Sequence, residues 1–266
     1  MAFLECRFFS EALGLSCSMN VVLPQATSGQ IGMKGAVRAK KHPVLWLLHG
    51  MSDDHSIWAR RTSIERYASE AGLAVVMPAA NLSWYQNMVS GPAYGTFLRE
   101  ELPSIAQSFF PLSNARRDNF VAGLSMGGYG SFLLALSQPS RFAAAASLSG
   151  ALDVAGIAGG RDARFRKVMT AAFGPADKIA GGPSDLFFLS KQLLRSGTKI
   201  PALYSCCGTE DHLLAGNRLF AAHAKKINLP FLYEEHDGPG HTWDYWDRQI
   251  KRVIDWLPLT KSTNPS

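Results

Sequence analysis

Phe120-Val-Ala-Gly-Leu-Ser125-Met-Gly-Gly-Tyr129 decides how this chain is read. The apolar run Phe120–Leu124 enters a Gly-x-Ser-x-Gly turn, and small and apolar residues, Met126–Ser137, leave it with helical character. A strand that passes directly into a helix leaves space for only a sharp turn. Side chains at 123 and 127 would crowd it, so glycine occupies both positions. The Ser125 hydroxyl then projects from the strand end, while the following helix aims its first N–H groups at the same place. That arrangement suits a nucleophile and the negative charge its attack develops. Taken alone the motif says little, because Gly and Ser are common residues; the flanking strand and helix give it meaning.

Outward from this turn, short apolar runs alternate with longer segments of helical period, the pattern of an α/β protein. Val44–His49, Leu73–Pro78, Ala143–Ser149, Leu203–Cys207 and Phe231–His236 read as core strands beside Phe120–Leu124. Ser56–Ser69, Thr96–Phe110, Leu213–Ile227 and Thr242–Leu257 read as further helices, and Pro139 and Pro258 serve as stop signals. Phe3–Phe9 and Ser16–Leu23 form an antiparallel start, followed by an exposed connection over Gln25–Pro43. The expected architecture is the α/β-hydrolase fold, a mostly parallel eight-stranded sheet flanked by helices. Residues 1–258 are expected to form a single domain. Within it, 152–200 breaks the alternation with Gly159-Gly160, Gly181-Gly182 and two weak helices, around Arg161–Ala172 and Ser184–Arg195. This insertion is expected to be a small cap above the carboxyl ends of the strands, where open α/β sheets bind ligands. Residues 259–266 read as a disordered tail.

Composition narrows the partners. The 266 residues, 47% hydrophobic and 18% charged, suit a globular protein with a sizeable core. The net charge of +6 comes from scattered pairs such as Lys40-Lys41 and Arg116-Arg117, not from a basic stripe interleaved with aromatics. Nucleic acid is therefore not an expected partner. Cys6, Cys17, Cys206 and Cys207 have neither metal-ligand spacing nor a compact disulfide pattern, and read as small hydrophobes in a reducing compartment. No signal peptide and no apolar run of membrane-spanning length is visible, so the expected location is the cytoplasm, with no membrane partner. Oligomer formation stays open.

A serine nucleophile needs a base and a group to orient that base, and in this fold they follow in the order serine, acid, histidine. His212, His223, His236 and His241 lie downstream. His223 falls in an amphipathic helix, His236 ends a strand, and His212 adjoins the best acid candidate. His241, in Asp237-Gly-Pro-Gly-His241 before the last helix, sits in a loop able to carry an imidazole over the sheet edge. For the acid, Asp211 at the end of Leu203–Asp211 is preferred to Glu210, which reads as solvent-facing, and to Asp237, which reads as a loop brace. One oxyanion donor is the N–H after the nucleophile, that of Met126. The other comes from the loop after Val44–His49, by position Met51, with Gly50 allowing close backbone approach in the substrate pocket. His49 itself reads as a prop for that loop. Trp84, Tyr85 and Trp243 are bulky loop residues that either narrow an acyl pocket or pack beneath the loops. No metal-ligand cluster and no cofactor motif is found.

Six stretches in order along the chain resemble the esterase D family of α/β hydrolases, most nearly its tributyrin-esterase subgroup of small bacterial carboxylesterases. They are Leu48-His-Gly-Met-Ser-Asp-Asp-His-Ser-Ile-Trp58, Asn81-Leu-Ser-Trp-Tyr85, Ala122-Gly-Leu-Ser-Met-Gly-Gly-Tyr-Gly130, Ser147-Leu-Ser-Gly-Ala151, Cys207-Gly-Thr-Glu-Asp211 and Gly240-His-Thr-Trp-Asp-Tyr-Trp246. The resemblance implies a cofactor-independent serine carboxylesterase acting on short acyl esters, from acetyl to butyryl. It places Ser125, Asp211 and His241 on the family's triad positions and Met51 and Met126 on its oxyanion positions. S-formylglutathione hydrolases of the same family usually carry a Cys just after the oxyanion turn and a Ser-Pro-Arg-Gly segment downstream. Here Met51-Ser-Asp-Asp and Asn81-Leu-Ser-Trp-Tyr stand in those places, which argues against thioesterase activity without excluding it. Acyl transfer on the same triad is the remaining alternative.

Overall fold

Eight strands hydrogen-bond into one sheet in the order β1-β2-β4-β3-β5-β6-β7-β8 in a computed structural model that describes residues 1–29, 31–32, 35–38 and 40–259. The strands are β1 (Ala2–Ser10), β2 (Leu15–Leu23), β3 (Val44–Leu48), β4 (Ala74–Pro78), β5 (Asn119–Leu124), β6 (Ala144–Leu148), β7 (Ala202–Gly208) and β8 (Leu232–His236). β1 and β2 form an antiparallel hairpin, β2 joins β4 antiparallel, and β4 to β8 run parallel. This is the α/β-hydrolase fold. The chain steps from β3 to β4 on one side and then returns to place β5 on the other. That reversal opens a crevice between the carboxyl ends of β3 and β5, the position where open α/β sheets bind ligands.

Ten helices flank the sheet among the described residues: α1 (Ile57–Arg61), α2 (Ile64–Ala71), α3 (Tyr94–Thr96), α4 (Leu102–Phe109), α5 (Met126–Ser137), α6 (Val154–Ala158), α7 (Ala163–Phe173), α8 (Leu186–Ser196), α9 (Leu214–Lys226) and α10 (Trp243–Trp256). Alternate residues of β3 show why one sheet holds two cores. Val44, Trp46 and Leu48 pack into the layer containing α5, whereas Leu45 and Leu47 pack into the layer containing α2 and α10. Each such side chain buried contributes about 1.5–3 kcal/mol. α5 lies between the sheet and α8 and is buried from Met126 to Leu136.

Three elements differ from the periodicity reading. Ser56–Ser69 is two helices, because Thr62 leaves helical geometry, its hydroxyl bonds the Trp58 carbonyl at 2.6 Å, and Ser63 N–H turns to Asp247 of α10 at 2.9 Å. Thr96–Phe110 widens into a π-helical turn over Phe97–Glu101 before α4. The Arg99 carbonyl there accepts Gln138 Nε2 at 3.3 Å and Arg141 Nη1 at 3.1 Å. Residues 152–200 carry a third short helix, α6, whose N-terminus is capped by the Asp153 carboxylate through Gly156 N–H at 3.0 Å. The expected tail lies, from residue 260 onward, outside the described residues. No helix of the described residues is long and apolar enough to cross a membrane.

Candidate active site

Ser125 stands between β5 and α5 with φ 54° and ψ −116°, a conformation that non-glycine residues avoid. Neighbouring backbone holds it there: Ser125 N–H donates to Leu148 O at 3.0 Å, and Ser125 O accepts from Tyr129 at 3.1 Å and Ala151 at 3.1 Å. The two flanking glycines are dictated by space. A Cβ at 123 would stand 2.4 Å from Gly127 O, and one at 127 would stand 2.4 Å from Leu48 O. Among the described residues the Ser125 hydroxyl makes no hydrogen bond, and the N–H groups of Met51 and Met126 donate to none.

Two strands away, the turn after β7 and the loop after β8 bring Asp211 and His241 together, with Asp211 Oδ2 accepting from His241 Nδ1 at 2.8 Å. The Asp211 carboxylate is wholly buried, and its Oδ1 accepts Leu213 N–H at 2.8 Å. Burial alone would push this carboxyl up. The His241 bond and charge, together with Leu213 N–H, more than offset burial and hold it below the ordinary carboxylate range. A carboxylate that stays ionised fixes the proton of His241 on Nδ1 and leaves Nε2 as a potential base.

Three of the other histidines, His49, His223 and His236, are otherwise occupied. His49 is fully buried, and its Nε2 accepts Ala80 N–H at 2.9 Å while Nδ1 donates to Gly50 O at 2.7 Å. Burial drives its protonation equilibrium down, so it stays neutral and props the loop after β3. His223 meets Ser190 Oγ at 3.0 Å, and His236 is held by the Tyr245 hydroxyl at 2.8 Å and Arg252 at 2.7 Å. His212 remains exposed, with its ring centre 4.6 Å from that of His241. Glu210 is exposed, and Asp237 accepts Thr209 Oγ1 at 3.2 Å as a loop brace.

Of the two alternatives for the bulky loop residues, Trp84 and Tyr85 pack beneath the loop. Tyr85 is fully buried, its hydroxyl donates to His49 O at 2.7 Å, and its ring lies so close to Gly130 that a Cβ there would be 2.3 Å from it. Trp84 is buried against Tyr129, Phe165 and Phe173, with centroids 5.7–6.3 Å apart. The Tyr85 ring packs the loop to the body at Gly130, and the Trp84 ring packs it to Tyr129 and to α7; φ is 53° at Trp84 and 61° at Tyr85. Trp243 remains half-buried and belongs to an aromatic ladder that composition did not reveal. Trp58 meets Trp243 at 5.3 Å, Trp243 meets Trp246 at 5.1 Å, and Trp246 meets His241 at 4.7 Å. Trp58 Nε1 donates to Leu48 O at 2.9 Å, so the ladder ties the β3 loop to the His241 loop. Gly50 packs at the other side of the crevice, where a Cβ would stand 2.8 Å from Leu124 Cδ1 and from Asp53 Oδ2. A cavity of about 220 Å³ opens beside the site, walled by Leu152, Asp153, Ile157, Leu213 and Leu219. Gly150, Ala151 and His212 also line it, and Ala151 N–H bonds the Ser125 carbonyl.

An elbow serine on this sheet, with a buried carboxylate bonded to an imidazole at the ends of β7 and β8, defines a serine hydrolase of the α/β-hydrolase fold. The chain belongs to the esterase family described as "Putative esterase", whose model matches residues 10–257. An acetyl esterase of Caldicellulosiruptor saccharolyticus is 29% identical over 267 residues, covering 97% of this chain and 98% of its own. The substrate-bound structure of the fluorophosphonate-binding serine hydrolase FphF of Staphylococcus aureus superposes with TM-score 0.87 at 34% identity, covering 96% of this chain and 98% of that one. A structure titled as S-formylglutathione hydrolase (FrmB) from Staphylococcus aureus gives TM-score 0.82 at 34% identity with the same coverage. The resemblance to the esterase D family therefore holds at family level, and an esterase's small-molecule ester is the class of substrate.

Proposed function

We propose that the protein is a short-chain carboxylesterase of the tributyrin-esterase kind, working through an acyl-enzyme on Ser125. In this reading His241 Nε2 takes the Ser125 proton as Oγ attacks the ester carbonyl, and Asp211 stabilises the imidazolium that forms. The N–H groups of Met51 and Met126 receive the oxyanion, the imidazolium gives its proton to the departing alcohol, and a water deprotonated by His241 Nε2 then attacks the acyl-enzyme, the proton passing to Ser125 Oγ as the acid leaves. The observation that carries this reading is the pairing of a strained elbow serine with an ionised, buried Asp211 that fixes the His241 tautomer.

Acyl preference follows from the cavity between residues 150–157 and the start of α9. A space of about 220 Å³ with Leu152, Ile157 and Leu219 on its walls suits an acetyl to butyryl chain, each fitted methylene adding about 0.8 kcal/mol. The test is a chain-length series of p-nitrophenyl esters on the wild type and on Ile157→Ala. Wild-type kcat/KM peaks at butyryl or shorter, and the variant's optimum moves to longer chains. A wild-type optimum at octanoyl sinks the short-chain reading. Thioester hydrolysis is the second reading, favoured by the likeness to FrmB; a kcat/KM for S-formylglutathione well above that for every p-nitrophenyl ester would establish it. Four free cysteines support a reducing, cytoplasmic setting.

A further inference from the structure

Asp211 carries more than one imidazole. Its Oδ2 is bonded to His241 Nδ1 at 2.8 Å, and its Oδ1 lies 3.7 Å from Nδ1 of His212. One ligating atom of each residue lies within 4.8 Å of the other two, and no other trio of His, Cys, Asp or Glu among the described residues does this. A tetrahedral zinc ion with bonds of about 2.0–2.2 Å wants its donors about 3.3 Å apart. Closing the difference falls to His212, whose side chain is 70% exposed and makes no hydrogen bond to a described residue. Asp211 and His241 are already in contact and need little movement. Two imidazoles and a carboxylate form a donor set suited to zinc, and the fourth position faces water.

We propose that Asp211, His212 and His241 form an inhibitory zinc site built onto the catalytic pair. This rests on the reading of His241 as the base. Zinc binds the lone pair of an unprotonated nitrogen, whereas His241 Nδ1 carries the proton that Asp211 accepts. When the metal takes Nδ1, that proton passes to Nε2, and the neutral imidazole changes tautomer without gaining or losing a proton. Nε2 then presents N–H to Ser125 where catalysis requires a lone pair. The metal also draws off the Asp211 charge that would have stabilised the imidazolium. His212 is the residue that turns an ordinary carboxylate–histidine pair into a chelate.

The experiment has an activity arm and a binding arm. In the first, ester hydrolysis is followed against added zinc chloride, each rate referred to the same protein's zinc-free rate. Wild type is inhibited and recovers fully in EDTA, and His212→Ala needs about tenfold or more zinc for half-inhibition. Equal sensitivity of the two proteins overturns the proposal. In the second arm, zinc is titrated calorimetrically into Ser125→Ala, which keeps all three ligands but needs no turnover. One zinc binds per chain, and adding His212→Ala weakens it by at least about tenfold. If the esterase reading fails, the binding arm still decides the site. If Ser125→Ala binds no zinc, or binds it equally with and without His212, the site is refuted and the esterase reading stands.

Discussion

Two imidazoles stand at the carboxyl edge of the sheet, His49 after β3 and His241 after β8, and only one has a nitrogen to spare. Both nitrogens of His49 are bonded to backbone, at Gly50 O and Ala80 N. At His241 one nitrogen is given to the buried Asp211 carboxylate, and the other makes no hydrogen bond to a described residue. The same residue type is thus a strut in one loop and, in the proposed reaction, a base in the other, and the pairing of its nitrogens makes the difference. The two loops are not independent. Tyr85 donates to the His49 carbonyl, and the Trp58–Trp243–Trp246 ladder joins the β3 loop to His241. A rigid prop on one side supports a chemically free group on the other.

Removing the group His241 would serve has the largest effect. Ser125→Ala lowers kcat for ester hydrolysis by about 10⁴–10⁶-fold with the unfolding midpoint unchanged. A purified variant with more than about a tenth of wild-type kcat rules out Ser125 as nucleophile. Next comes the orienting acid. Asp211→Asn preserves size but removes the charge that fixes the tautomer and stabilises the imidazolium, and lowers kcat by about 10⁴-fold.

On the strut side the effect falls on stability. Trp84→Ala removes a ring buried against Tyr129, Phe165 and Phe173 and costs about 3–5 kcal/mol in urea denaturation, with the acyl optimum unmoved. An optimum shifted to longer chains would return Trp84 to the pocket wall. His49→Ala strands the Ala80 N–H, leaves the Gly50 carbonyl with Asp53 N–H alone, and costs about 1–3 kcal/mol while kcat at a temperature where the variant is folded stays within about tenfold of wild type. A loss of kcat as deep as that of Asp211→Asn, at unchanged stability, would erase the distinction between the loops.

The smallest effect is the acid limb of stability. The folded chain holds the Asp211 carboxyl below its ordinary range, so folding favours its ionised form. That contribution is complete above the unfolded carboxyl value of about 3.9 and fades as pH falls through the lower folded value. The urea midpoint of Asp211→Asn should therefore fall less steeply than that of wild type below about pH 4. Equal slopes would mean that the carboxylate is no better held in the folded state than in the unfolded one.

Local signals made the strand positions and the elbow legible in sequence. Continuous buried runs in β3, β5 and β6, and glycines at 123 and 127, leave little choice of conformation. Asp211 and His241 were readable as candidates because strand-end loops are few and chain order ranks them. Their 2.8 Å bond was not readable, since it depends on β7 and β8 lying side by side. Side-chain direction in the 81–85 loop was equally hidden. Nothing in Asn81-Leu-Ser-Trp-Tyr85 announces positive φ at Trp84 and Tyr85, each costing about 1–3 kcal/mol and held by packing with residues distant in the chain. The sequence by itself determined the order of strands and helices, the strained turn at Ser125 and the residue types able to do acyl chemistry, because those follow from periodicity and from space within a few residues. Tertiary structure alone decided which histidine keeps a free nitrogen, which aromatics leave the pocket for the core, and that His212 stands beside His241, because each depends on contacts between loops brought together only when the sheet closes its order.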